Sequence, residues 1–148
     1  MNHLKGDPMK KHLFVLLLLL PIYLTVFCKN AETLVNKADC TITGHIIPGN
    51  AAGRNGPIYV VASTTNDQNN INWTKNSLVL SSYGTFKIKD LVAGKYYLII
   101  HMDENHNQQR DVGEPLGGYD ANGDERLDPV TLVGGKTLEI DLAFFSSY

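Results

Sequence analysis

The chain has 148 residues, with 13 Lys/Arg against 15 Asp/Glu, 43% apolar residues and two cysteines. That is one domain's worth of polypeptide, or a domain with a targeting segment. From Lys29 onward the balance is 10 Lys/Arg against 14 Asp/Glu, which excludes the basic face expected of a nucleic-acid binder.

The N-terminus is not patterned like part of a core. Lys10, Lys11 and His12 precede an apolar stretch from Leu13 to Phe27, interrupted mainly by Pro21 and Thr25. A basic region followed by a short leucine-rich one is the pattern of a secretory signal. Such a stretch, with its proline, falls short of the roughly 20 residues that cross a bilayer as a helix. Met9 starts a more conventional signal than Met1 does. Residues 1–28 are therefore expected to be an export signal, with the natural start at Met9. Cys28 stands where polar residues take over, at Lys29 and Asn30. A cysteine there resembles the lipid-acceptor of bacterial lipoproteins, although Phe27 replaces the usual small residue and Leu24 sits one place too far back. Ordinary cleavage nearby is the other reading. Export would permit a Cys28–Cys40 disulfide, whereas acylation of Cys28 would leave Cys40 a buried lone thiol.

Residues 29–39 are polar and unpatterned and are expected to form a tether. The domain is expected to cover 40–148 and to be all-β. Residues 40–47 are β-rich and end at Pro48-Gly49-Asn50, and residues 57–63 form a second β-branched run. The polar stretch from Thr64 to Asn76 predicts a long loop. Residues 77–81 and 84–89 predict a hairpin pair, the second alternating Phe86 and Ile88 with Thr85, Lys87 and Lys89. Residues 96–102 are the most apolar run and predict a central strand. Residues 129–133 and 137–143 close the domain around Gly134-Gly135. About seven strands without a convincing amphipathic helix predict an antiparallel β-sandwich or barrel.

The block Gly84-Thr-Phe-Lys-Ile-Lys-Asp-Leu-Val-Ala-Gly-Lys-Tyr-Tyr-Leu98 resembles the signature of prealbumin-like (transthyretin-like) modules. These include carboxypeptidase regulatory-like domains and the B-type repeats of bacterial surface proteins. In such modules a glycine-led strand ends in an aspartate-leucine-x-x-glycine turn and a tyrosine-bearing strand follows. Here the turn is Asp90 to Gly94, and Gly94 is expected to take a backbone angle that other residues resist. The resemblance covers about residues 40–143. It implies a prealbumin-like sandwich and leaves function open, because these modules serve as adhesive, spacer and accessory domains.

The acidic residues are concentrated between Asp103 and Asp128, where eight stand against two arginines. With Asp103 as position 1, oxygen ligands fall at Asp103, Asn105, Asn107, Asp111 and Glu114, which are positions 1, 3, 5, 9 and 12. The Gln109 carbonyl is at position 7. This is the ligand spacing of the EF-hand calcium loop. Calcium takes six to eight hard oxygens, and three carboxylates packed without a cation would repel one another. Magnesium rarely gathers so many protein ligands. Gln108 stands at position 6 where glycine is usual, Arg110 stands at position 8, and strands rather than helices flank the loop. The Asp-x-Asn-x-Asn run and its Gly113-Glu114-Pro115 ending resemble the calcium loops of the B-type repeats. The bland reading is a solvated loop of turn-forming residues. A second cluster, Asp120, Asn122, Asp124 and Asp128, repeats the 1, 3, 5, 9 spacing, with Thr131 in place of the bidentate carboxylate. It would complete the first site, form a weaker one, or simply make a turn at Asn122-Gly123.

Trp73 lies in the polar loop, where it would touch a sugar or protein partner or fold back as a core plug. Asn72-Trp73-Thr74 is also a glycosylation acceptor triplet. His101, Asp103 and His106 with His45 would be the material for zinc, but without the spacing zinc sites prefer. No nucleophile elbow, phosphate loop or pair of catalytic acids occurs. The expectation is an exported, membrane-anchored module that binds or stiffens rather than catalyses, with a calcium-stabilised loop and a protein or glycan ligand. The alternatives are a carbohydrate- or peptide-binding accessory domain using Trp73, and a metal-dependent hydrolase using His101. Localisation would be the cell envelope, or secreted if no lipid is attached.

Overall fold

The computed structural model describes residues 37–147. The expected signal segment, Cys28 and the tether up to residue 36 lie outside the described residues. The fold is all-β, with nine strands: β1 (Ala38–Ile47), β2 (Ile58–Ser63), β3 (Ser77–Leu80), β4 (Thr85–Val92), β5 (Gly94–Met102), β6 (Pro115–Gly118), β7 (Pro129–Leu132), β8 (Thr137–Glu139) and β9 (Leu142–Ser147). Two 3-10 turns, Gly49–Ala51 and Gln68–Asn70, are the only helical pieces among the described residues.

The strands hydrogen-bond in the order β3-β2-β5-β6-β9-β1-β4, with β7 beside β5 and β8 beside β1. β6 and β7 share one side of β5, opposite its C-terminal and N-terminal halves. β8 and β9 likewise share one side of β1. Both run parallel to β1, so the sheet is mixed rather than purely antiparallel as expected. β5 is central, as its apolar run predicted, with β2 on its other side.

The expected hairpin between residues 77–81 and 84–89 does not form. β3 pairs with β2 and β4 pairs with β1, which puts them at opposite ends of the strand order. In a flat sheet those edges would be about 29 Å apart at ~4.8 Å per strand. The four-residue link Ser81–Gly84 spans at most about 18 Å. The sheet must therefore curl, and its two ends face one another across a core in the manner of a sandwich.

That core is built by period-2 alternation. On β4, Phe86 and Ile88 are buried while Thr85, Lys87 and Lys89 point out, and an irregularity at Asp90 (φ 58°) shifts the phase so that Leu91 is buried next. These buried side chains meet Cys40 and Ile42 of β1 and Val60, Ala62, Leu98 and Ile100 of β2 and β5. Each of the valine, leucine, isoleucine and phenylalanine side chains among them contributes roughly 1.5–3 kcal/mol by leaving water. Cys40 is fully buried, and its thiol donates to the Val133 carbonyl at 3.3 Å.

β2 and β5 are buried on their other face too. Val61 and Ile99 pack there with Ile71 and Leu116, and Trp73, Tyr97 and Leu127 lean against them. The polar loop 64–76 thus sends two apolar side chains back over the sheet.

Two strand assignments differ from expectation for a shared reason. The run 137–143 is broken at Ile140 and Asp141, where the chain passes over Gly44. A Cβ on Gly44 would lie 1.8 Å from the Ile140 carbonyl oxygen, so only glycine permits this crossing. β6, with its Pro-Leu-Gly-Gly sequence, has no strand signal. Gly117 presses against Ala143 and Phe144, and a Cβ there would lie 2.1 Å from the Ala143 oxygen. Glycine lets this segment slip between β5 and β9.

Candidate metal centre

The loop from Asp103 to Glu114 joins β5 to β6, so both its ends are carried by paired strands. Asp103 continues the outward-facing series Ile99, His101, and its backbone N–H donates to the Pro57 carbonyl at 2.9 Å. Despite their charge, Asp103 and Glu114 are only 1% and 6% exposed. The Asp103 carboxylate accepts from the backbone N–H of Asn107 (3.1 Å) and of Gln108 (2.8 Å). Glu114 accepts from the N–H of Glu104 (2.8 Å) and of Asp111 (2.9 Å), pinning the two ends of the loop together.

The intervening side chains turn inward. Asn105 Oδ1 accepts from the Asn107 N–H and Asn107 Oδ1 from the Gln109 N–H. Both amide groups donate to one oxygen of Asp111, at 2.7 and 2.6 Å. These two bonds hold the Asp111 carboxyl below its ordinary pKa. Asp103, Asn105, Asn107, Asp111 and Glu114 are thus linked in one hydrogen-bonded network.

Gln109 presents its carbonyl to His101 Nε2 at 3.4 Å. Among the described residues, no three His, Cys, Asp or Glu side chains lie together as a metal-holding group. The three loop carboxylates are instead kept apart, each satisfied by N–H donors, as mutual repulsion requires.

The second loop repeats this design in the open. Asp120 accepts from the N–H of Asp124 and Glu125, as Asp103 does from the residues four and five places on. Asn122 Oδ1 accepts from Asp124 N–H, and Asp124 from Arg126 N–H. Asp128 accepts from Ala121 N–H. Gln108 and Glu125 occupy the same place in the two loops, and both take left-handed φ, 63° and 62°. This is the conformation for which glycine is usual at position 6, so the departure at Gln108 changes the residue and not the backbone. Gln108→Gly is expected to raise stability by a few tenths to about 1 kcal/mol, read as a shift in urea midpoint. A loss of that size would show that the Gln108 side chain contributes more than its backbone strain costs. Unlike the first loop, none of the second loop's carboxylates is fully buried.

His101 lies behind the first loop, 2% exposed. Its ring packs, tilted, at 4.9 Å from Tyr59 and at 4.9 Å from Trp73, and Nδ1 has no hydrogen-bond partner among the described residues. Burial pushes its pKa below the ordinary 6.5, against smaller upward pulls from Gln109, Glu114 and Asp103. As pH falls below about 6.5 the unfolded chain takes up a proton that the folded chain refuses, so stability drops with acidification. The melting temperature is expected to fall more steeply from pH 7 to pH 5 in the wild type than in His101→Phe. Equal slopes would remove His101 as the cause.

The structure does not gather the imagined zinc set. His45 sits on the exposed side of β1 with Asp141, and His106 is an exposed loop residue at φ 60°. Trp73 is half-buried and packs its ring, tilted by 58°, against His101, so part of it serves as a plug.

Sequence reasoning missed Arg54. Its guanidinium grips both oxygens of Glu104 and donates to the Gly113 carbonyl at 2.7 Å. Nothing in the Arg54-Asn55-Gly56 turn signals a partner 50 residues away. Comparison with known proteins gives no match: no family model, no curated protein and no solved structure matches this chain.

Proposed function

We propose that this chain is an exported, non-catalytic β-sandwich module of the prealbumin-like kind, whose loop 103–114 is closed by a calcium ion. The observation that carries this reading is the burial of two carboxylates with no direct lysine or arginine partner among the described residues, Arg54 being engaged with Glu104 and reaching Glu114 only through space. Asp103 and Glu114 are almost wholly buried, and among the described residues neither pairs with a lysine or arginine. The one cationic candidate within 4 Å of Glu114 is His101, at 3.8 Å, and its burial favours the neutral ring. Buried charge is costly unless it is both paired and hydrogen-bonded; backbone N–H donors supply the second requirement here, and a bound cation would supply the first.

That set is all hard oxygen: the carboxylates of Asp103, Asp111 and Glu114, the side-chain oxygens of Asn105 and Asn107, and the Gln109 carbonyl. Calcium supplies charge neutralisation at a loop that would otherwise rely on N–H donors alone. In doing so it stiffens the connection between β5 and β6. Asp120, Asn122, Asp124 and Asp128 would form at most a weaker second site, since their carboxylates already face water. Cys28 would be the lipid-acceptor that anchors the module to a membrane, and the module would present its loops to a protein or glycan ligand.

The test is the melting temperature of the purified protein in chelator, then in millimolar calcium or magnesium. A calcium-specific rise of about 10 °C is expected for an ion at about a hundred times its Kd. An unchanged melting temperature would return the loop to ordinary surface. Mass spectrometry of the membrane fraction tests acylation of Cys28 separately.

A further inference from the structure

We propose that Arg54 is a positioning residue for loop 103–114, carried by a strap of residues 48–57 that braces the loop from outside. The strap is fixed at both ends. At its start, Ala51 is buried and its carbonyl accepts from the Tyr83 hydroxyl at 2.6 Å, while the Asn50 amide donates to the Phe145 carbonyl at 2.8 Å. At its end, the Gly56 backbone lies against that of Asp103, where a Cβ would come within 2.5 Å of the Asp103 carbonyl oxygen. The Pro57 carbonyl then accepts the Asp103 N–H.

Between these anchors the Arg54 side chain reaches the loop. Its Nε and one terminal nitrogen engage the two oxygens of Glu104, and that same nitrogen also meets the Gly113 carbonyl. Glu104 is the second residue of the loop and Gly113 the last before Glu114. One planar cation therefore ties the loop's entry to its exit, which a point charge on lysine does less well. It also occupies both oxygens of Glu104, the loop's fourth carboxylate. Glu114 already clips the same two ends from inside, and Arg54 is the matching clip from outside.

The consequence for ion binding rests on the calcium reading above, whereas the consequence for loop order does not. Outer groups that orient ligands typically alter metal affinity about 10- to 100-fold when removed. Hydrogen exchange of the amides of residues 104–114 is measured in chelator on the wild type, Arg54→Gln, Arg54→Lys and Glu104→Gln, followed by calcium titration by calorimetry. Arg126→Gln, on the second loop, is the charge control.

Arg54→Gln is expected to speed loop exchange roughly tenfold and to weaken calcium binding by about the same factor, with Arg54→Lys between it and the wild type. Arg126→Gln should change neither. Glu104→Gln, which keeps the arginine, should reproduce the effect if Arg54→Gln does not fold. Unchanged exchange in chelator overturns the strap, whatever calcium does. Faster exchange with unchanged calcium affinity overturns the positioning role. A wild type that ignores calcium removes the ion reading and leaves the exchange data to decide the strap alone.

Discussion

Gly44→Ala is expected to destabilise the domain by about 3 kcal/mol, lowering the melting temperature by roughly 10 °C. The added methyl would lie 1.8 Å from the Ile140 carbonyl oxygen, with Phe86 at 3.2 Å on another side. The oxygen belongs to backbone and cannot swing away like a side-chain tip. It is held where the chain steps from β8 to β9, with Ile140 N–H on Thr43 O at 2.9 Å and Asp141 on His45 N–H at 2.8 Å. Relief would require opening the one place where β1 receives two parallel partners.

Gly84→Ala is the matched control, because no atom of the described residues lies within 4 Å of its added methyl. It is expected to change stability by less than about 0.5 kcal/mol. Urea melts of the two variants decide the matter. Similar losses would mean that glycine at 44 serves something other than close passage of the backbone.

Asp103→Asn is expected to separate the hydrogen-bonding role of this side chain from its charge. In chelator the variant loses one of two acceptors, for the N–H of Asn107 or of Gln108, at a cost of about 1 kcal/mol. In calcium the wild type gains about 2.7 kcal/mol at a hundredfold excess over Kd, and the variant gains almost none. Glu114→Gln should behave alike, since it removes the other buried charge. Asp120→Asn should retain the calcium response, because the second loop lacks a carboxylate at position 12. Calcium shifts of wild-type size in both Asp103→Asn and Glu114→Gln would sink the assigned ligand set. A loss in Asp120→Asn alone would move the site to the second loop.

Much of the fold was legible because strand formation is read locally. The alternation of Phe86 and Ile88 with charged neighbours declares a half-buried strand wherever the chain goes, and the apolar run 96–102 declares a central one. Spacing likewise places Asp103, Asn105, Asn107, Asp111 and Glu114 around one loop, because a short loop keeps near in space what is near in sequence. The inward-turned ring of Asn105, Asn107 and Asp111 follows from that short range.

Long-range pairing was decided only in the folded state. Residues 77–89 contain two strands and a turn, which locally predict a hairpin, yet each strand finds a better partner elsewhere and the turn becomes the seam of a curled sheet. Pro115-Leu-Gly-Gly118 carries no strand propensity; it is a strand because glycine fits the gap between β5 and β9. The burial of Asp103 and Glu114 is equally tertiary. Sequence marks them as charged loop residues, whereas the strap packs against Asp103 and His101 lies beside Glu114, so that two loop carboxylates are buried and held by N–H donors. Local residue chemistry set which segments are strands and which oxygens share a loop. Backbone close approach and burial, which depend on residues from about 25 to nearly 100 places apart, decided how those segments pair and which carboxylates are buried.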